Sequence, residues 1–86
     1  MSDAKLTITS DEALVLFEFF QRYEETGRLV FRHPAEYLAL MKISAQIDKN
    51  VPEAFDPKYQ QLLKDAKRRI AAGFEGEVPG MERGET

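Results

Sequence analysis

Apolar residues between positions 10 and 25 recur at helical spacing. Placed 100° apart, six of them fall on one arc: Ala13, Leu16, Phe17, Phe19, Phe20 and Tyr23. Leu14 and Val15 lie off this arc. The opposite side carries Asp11, Glu18, Arg22 and Glu25. The pattern predicts an amphipathic helix from about Ser10 to Glu25 whose charged side faces solvent.

Local signals mark where this helix begins and ends. Thr9, with Glu12 three residues later, is typical of a capping box, in which each side chain accepts a hydrogen bond from the other residue's backbone N–H. Gly27 suits the left-handed conformation that ends many helices. The first helix is therefore expected to begin just after Thr9 and to end at Gly27.

A second helix is predicted from Pro34 to about Lys49, with Asn50 as its stop. Proline is favoured at the first helical position, where its missing N–H has no intrahelical role. The apolar arc of this helix comprises Tyr37, Leu40, Met41, Ile43 and Ile47. Ser44 and Asp48 interrupt the arc, so the amphipathic pattern is weaker than in the first helix.

A third helix is predicted to begin at Asp56, as the N-cap, with Pro57 at its first position. It extends to about Ala72, before Gly73. Its apolar positions follow the i, i+3, i+4, i+7 pattern of an amphipathic helix: Tyr59, Leu62, Leu63, Ala66 and Ile70.

Two short segments carry strand signals. Residues 5–9 alternate polar and apolar side chains with β-branched residues, and residues 29–32 read Leu-Val-Phe-Arg. They are candidates to pair, although a two-stranded sheet needs a packed helix to be stable. The predicted fold is mainly α: one compact three-helix domain over residues 1–74, two extended segments that can pair, and a disordered acidic tail over residues 75–86.

Composition narrows the classes of function. The 86 residues include no cysteine and one histidine, so disulfides and thiolate metal sites are excluded and no cofactor is expected. The net charge of −3 resides in residues 74–86, and the neutral remainder argues against a general nucleic-acid binder, which normally carries a basic excess. Neither a secretory signal nor an apolar stretch of about 20 residues is present, so a cytoplasmic location without membrane contact is expected.

His33 is one candidate for chemistry, because its side chain titrates near neutral pH. It precedes Pro34, where capping of the second helix is the more common role. A second candidate is the basic cluster of Lys64, Lys67, Arg68 and Arg69. Cations are favoured near helix C-termini, so this cluster is expected to be a solvated helix end. No catalytic motif is recognisable, and the prediction is that the chain is not an enzyme.

The nine aromatic residues are the most distinctive feature. Because the apolar arc of the first helix is wide for so small a domain, part of it is expected to remain available for a partner. The candidate interface is Phe17, Phe19, Phe20, Arg22 and Tyr23. Aromatic and arginine side chains are common anchors of protein–protein interfaces.

Residues 9–20 and 53–63 resemble segments of a group of small, uncharacterised bacterial helical proteins. The resemblance implies a compact helical domain in a bacterial setting and no catalytic residue. The functional hypothesis is a non-enzymatic domain that self-associates or binds another protein, one form being an immunity- or antitoxin-like inhibitor. The alternative is a domain that binds a small ligand or assists catalysis through His33.

Overall fold

The structure, a computed structural model, describes residues 2–81. It contains three α-helices: α1 (Ser10–Thr26), α2 (Pro34–Asp48) and α3 (Tyr59–Ala71). A short 3-10 helix, Pro52–Phe55, lies between α2 and α3. The predicted mainly α fold of three helices is confirmed, and α1 and α2 begin at the predicted residues.

The predicted capping box is present at the start of α1. The Glu12 N–H donates to Thr9 Oγ1 (3.0 Å), and the Thr9 N–H donates to Glu12 Oε1 (2.8 Å). At the other end, Gly27 has a φ of 66°, and its N–H donates to the Tyr23 carbonyl. Both ends of α1 are therefore set by residues within four positions of the boundary.

The start of α3 differs from the prediction. Asp56 does not cap a helix that begins at Pro57; its carboxylate accepts from the Lys58 N–H, only two residues on (2.7 Å). The Tyr59 N–H then donates to the Asp56 carbonyl (2.9 Å). Asp56 thus stabilises a turn between the 3-10 helix and α3, a competing use of the same side chain.

Helix α1 contacts both other helices. Asp11, at the start of α1, pairs with Arg69 near the end of α3. Phe17, in the middle of α1, contacts the ring of Tyr59 at the start of α3, with 6.4 Å between ring centroids. The buried apolar residues come from all three helices and the link after α2: Ala13, Leu14, Phe20, Ile47, Val51, Leu63 and Ala66.

This arrangement corrects the predicted faces of α1. Leu14, expected off the apolar arc, is only 3% exposed. It stands three residues after Asp11 and four before Glu18, and both of these acids pair with α3. The first half of the side that was expected to face solvent, around Leu14, is therefore packed, whereas Arg22 and Glu25 on the same side are exposed. A single apolar arc could not reveal this, because α1 has two packed sides.

The buried side of α2 also differs from the predicted arc. Ser44, which interrupts that arc, is 5% exposed, whereas Ile43 within it is 42% exposed. Leu40, Ser44 and Ile47 lie on one side of the helix, three or four residues apart. The small side chain of Ser44 occupies a packed position, and the larger Ile43 is left at the edge.

The two predicted extended segments form no strand, and residues 2–81 contain no strand at all. Residues 5–9 precede α1 and residues 29–32 follow it. A helix of 17 residues is about 25 Å long, so these segments lie near opposite ends of α1 and do not meet. Residues 74–81 contain no helix and are exposed, whereas residues 82–86 of the predicted tail lie outside the described range.

The capping box gives a direct test of how α1 begins. We expect Thr9→Ala to lower the free energy of unfolding by about 1 kcal/mol, because the Glu12 N–H loses its acceptor. Thr9→Ser keeps a hydroxyl oxygen in place and should cost much less. Urea unfolding followed by circular dichroism measures both. Equal stability of the two variants would contradict the capping role.

Candidate functional site

The structure separates the five residues of the candidate interface on α1. Phe20 is 5% exposed and belongs to the core, so the expectation that it lies on a free surface is wrong. Phe17, Phe19 and Tyr23 are half-buried, and Arg22 is exposed. A role of the exposed parts in binding a partner stays a prediction.

The half-buried rings make contacts within the chain. Phe17 meets Tyr59 edge to face, and Phe19 meets Phe20 in the same way at 5.6 Å. Tyr23 contacts Phe31, which in turn contacts Tyr37, and both centroid distances are 5.9 Å. This chain of three rings joins the end of α1 to the start of α2 through the loop between them. Most of the aromatic side chains therefore pack against other rings of the same chain.

Arg22 also has partners within the chain. Its guanidinium lies 3.0 Å from a Glu18 carboxylate oxygen and 5.6 Å from the centroid of the Phe19 ring. Phe19, Arg22 and Tyr23 line a groove together with residues 78–81 of the C-terminal segment. The predicted interface is thus partly covered by the chain itself.

Other apolar side chains are left exposed by the fold, and sequence analysis did not assign them to a surface. Those at least 42% exposed are Leu6, Ile8, Val30, Tyr37, Leu38, Ile43, Phe55, Ile70, Phe74, Val78 and Met81. Ile43 belongs to the predicted apolar arc of α2, and residues 5–9 are only a candidate to pair with residues 29–32. For α2, the sequence does contain a signal of this exposure. The helix is apolar on most of its circumference but packs chiefly against α1, so some of its apolar side chains are left uncovered.

Three of these residues, Leu6, Ile8 and Ile43, border one groove of about 650 Å³. We call this the N-terminal groove. It lies between the segment before α1, the first turns of α1 and the last turns of α2. Its lining is Ala4, Leu6, Thr7, Ile8, Thr9, Ser10, Ala13, Leu16, Ile43, Gln46, Ile47 and Asn50. No charged side chain is among these residues, although 31% of the whole sequence is charged.

His33 acts as the N-cap of α2. Its Nδ1 accepts a hydrogen bond from the Ala35 N–H at 3.0 Å. The carboxylate nearest in sequence, Glu36, accepts a hydrogen bond from the Arg32 N–H (2.6 Å). Neither the N-terminal groove nor the groove beside Tyr23 includes His33. The geometry supports the capping role that was expected to be the more common one.

The basic cluster near the end of α3 is largely engaged with acids. Arg69 makes a bidentate pair with Asp11 (2.7 and 2.8 Å), and Lys67 lies 3.2 Å from Glu18. Arg68 lies 2.7 Å from Asp65. Two of these cations therefore join α3 to α1 instead of forming a free patch for phosphates.

Two groups at the junction of α1 and α3 have shifted pKa values. The hydrogen bond from Arg69 lowers the pKa of the Asp11 carboxyl below its ordinary value. Burial, together with the nearby Glu18 carboxylate, raises the pKa of Tyr59. Both groups lie where α1 meets α3, which shows that this junction carries charge as well as apolar contact.

Sites of other kinds are not evident in the described part of the chain. Within residues 2–81, no group of three or more histidine, aspartate or glutamate side chains could hold a metal ion. No described helix is both long and apolar enough to cross a bilayer. Comparison with protein-family models, curated proteins and solved structures yields no match. The resemblance of residues 9–20 and 53–63 to small bacterial helical proteins stays a prediction.

The Asp11–Arg69 pair predicts a dependence of stability on pH. Because the pKa of Asp11 is lower in the folded state, the pair stabilises the fold above the unfolded pKa of roughly 4. That stabilisation is lost as the pH falls through the folded pKa. We therefore expect Asp11→Asn to be less stable than the unmodified protein at pH 7, with a smaller difference below about pH 4.

Urea midpoints between pH 7 and pH 2 measure this difference. Arg69→Gln should remove the same pH-dependent part, because it removes the other partner. A difference that stays constant across the whole pH range would contradict the ion-pair explanation.

His33 provides a separate test of its capping role. We expect His33→Ala to lower the free energy of unfolding by about 1 kcal/mol, because the Ala35 N–H loses its acceptor. His33→Asn supplies a side-chain oxygen at the same position and should retain most of the stability. If the asparagine variant were no more stable than the alanine variant, the imidazole would have another role.

Proposed function

We propose that this chain is a non-enzymatic protein-interaction domain whose contact surface is the N-terminal groove. The single observation that supports the proposal is an uncharged groove bordered by exposed apolar side chains. Leu6, Ile8 and Ile43 are 77%, 44% and 42% exposed. Exposed apolar side chains around a groove commonly mark a protein–protein contact, and charged residues are depleted at the centre of such contacts.

The interaction is either self-association or binding of another protein. If the domain binds another protein, one form of this function is an immunity- or antitoxin-like inhibitor. It also includes a cytoplasmic location, which the absence of cysteine supports. Catalysis through His33 has less support, because the imidazole Nδ1 is used to cap α2. The aromatic residues of α1 have less support as a contact surface, because their rings contact other rings of the same chain.

A pair of matched substitutions tests the proposed surface. Ile43 and Ile70 are both isoleucines on helices, with exposures of 42% and 47%, but only Ile43 borders the N-terminal groove. We expect Ile43→Ser to weaken association and Ile70→Ser to leave it unchanged. The reason is that only Ile43→Ser removes apolar area from the contact surface.

Association is measured in two ways for each variant: sedimentation of the purified protein, and co-purification with proteins of the source organism. Circular dichroism confirms that both variants remain folded. The proposal fails if the unmodified protein neither self-associates nor retains a partner. It also fails if the two variants associate equally well.

A further inference from the structure

The segment that precedes α1 has the sequence of a strand and no strand to pair with. Residues 5–8 read Lys-Leu-Thr-Ile, and each of them is exposed. Among residues 2–81, no hydrogen bond joins the backbone of residues 5–8 to any other group. Unpaired backbone with alternating, β-branched side chains is a template for pairing with a second segment.

The next residue restricts how such pairing can occur. Thr9 is in an extended conformation (φ −78°, ψ 166°), so the chain enters α1 from a strand-like geometry. Its N–H already donates to Glu12, and its carbonyl accepts from Ala13. Thr9 therefore has no backbone donor left, so the backbone N–H groups open to a partner strand are those of residues 5–8.

We propose that the partner is a second copy of this chain, and that residues 5–8 of the two copies pair as an antiparallel ribbon. This inference rests on the proposed function, since it names the occupant of the N-terminal groove. In the pairing, Leu6 of each copy faces Ile8 of the other, and the two copies of Thr7 face each other across the two-fold axis. Leu6 and Ile8 exchange their backbone hydrogen bonds, and Thr9 keeps its role in the capping box.

The chemistry of the groove favours an identical partner. A two-fold contact places the same patch of each copy against itself, so a charged patch would repel its own copy. The lining of the N-terminal groove contains no charged side chain. The pairing also places no two like charges opposite each other, because Lys5 of one copy would face Thr9 of the other.

The underlying helices supply what an isolated ribbon lacks. A two-stranded ribbon is marginal in water unless a helix or further strand covers one face. Because Leu6 and Ile8 are two residues apart, they project from the same face of a strand. That face borders the groove lined by Leu16 and Ile43, which is the apolar support that the ribbon requires.

A single cysteine tests the two-fold axis, because the natural chain has none. Facing residues at a non-hydrogen-bonded position have Cα atoms about 4.5 Å apart, within the range that a disulfide bridges. We expect Thr7→Cys, with no tag at the N-terminus, to form a covalent dimer under mild oxidation. Val30→Cys is the control, because Val30 is 94% exposed and lies in the loop after α1.

Thr7→Cys should cross-link at least about ten times faster than Val30→Cys, since its partner is held in place. Equal rates, or a monomeric unmodified protein in sedimentation at about 100 µM, would overturn the ribbon. Either result would leave the proposed function intact if co-purification of a different protein still depends on Ile43. Loss of that dependence would instead contradict the proposed function.

Opposite charges at the same position give an independent readout that needs no cross-link. Thr7→Asp and Thr7→Lys should each raise the dissociation constant of the dimer up to about five-fold, because like charges face each other. A mixture of the two variants should associate more tightly than either variant alone. If the mixture gains nothing over the separate variants, the two copies of Thr7 do not face each other and the proposed pairing is wrong.

Discussion

Helix α1 is packed on two sides, by α2 on one and α3 on the other, and the other features of the fold depend on that position. Leu14, at 3% exposure, lies on the same stripe of α1 as Asp11 and Glu18, which pair with Arg69 and Lys67 of α3. The ring sequence Tyr23, Phe31 and Tyr37 joins α1 to α2. A domain of 86 residues has a thin core, so burial of one helix on two sides accounts for much of its apolar contact.

The helices could be predicted because their signals are local. Thr9, Glu12 and Gly27 determine the ends of α1 through hydrogen bonds and dihedral angles within a few residues. The packed sides could not be predicted, because they depend on which elements meet. Leu14 and Ser44 are buried against the expected pattern, since α1 has two neighbours and α2 requires a small residue at a packed position.

The same distinction applies to the surface. The aromatic residues and Arg22 of α1 predict an interface on that helix, but Phe20 lies in the core and Phe17 packs against Tyr59. The strand signal of residues 5–9 was recognised, whereas its expected partner at residues 29–32 lies near the far end of α1. The proposed two-fold contact rests on two features. Residues 5–8 alternate polar and apolar side chains without a partner strand in their own chain, and they lie beside an uncharged groove.

The most direct test of the central position of α1 compares two leucine substitutions in urea unfolding. We predict that Leu14→Ala lowers the free energy of unfolding by about 2–5 kcal/mol, or prevents folding altogether, because it removes a buried side chain from the stripe of α1 whose acids pair with α3. Leu38→Ala, at a site that is 64% exposed, should change the stability by less than about 0.5 kcal/mol. Equal effects of the two substitutions would contradict the packing of α1 on two sides.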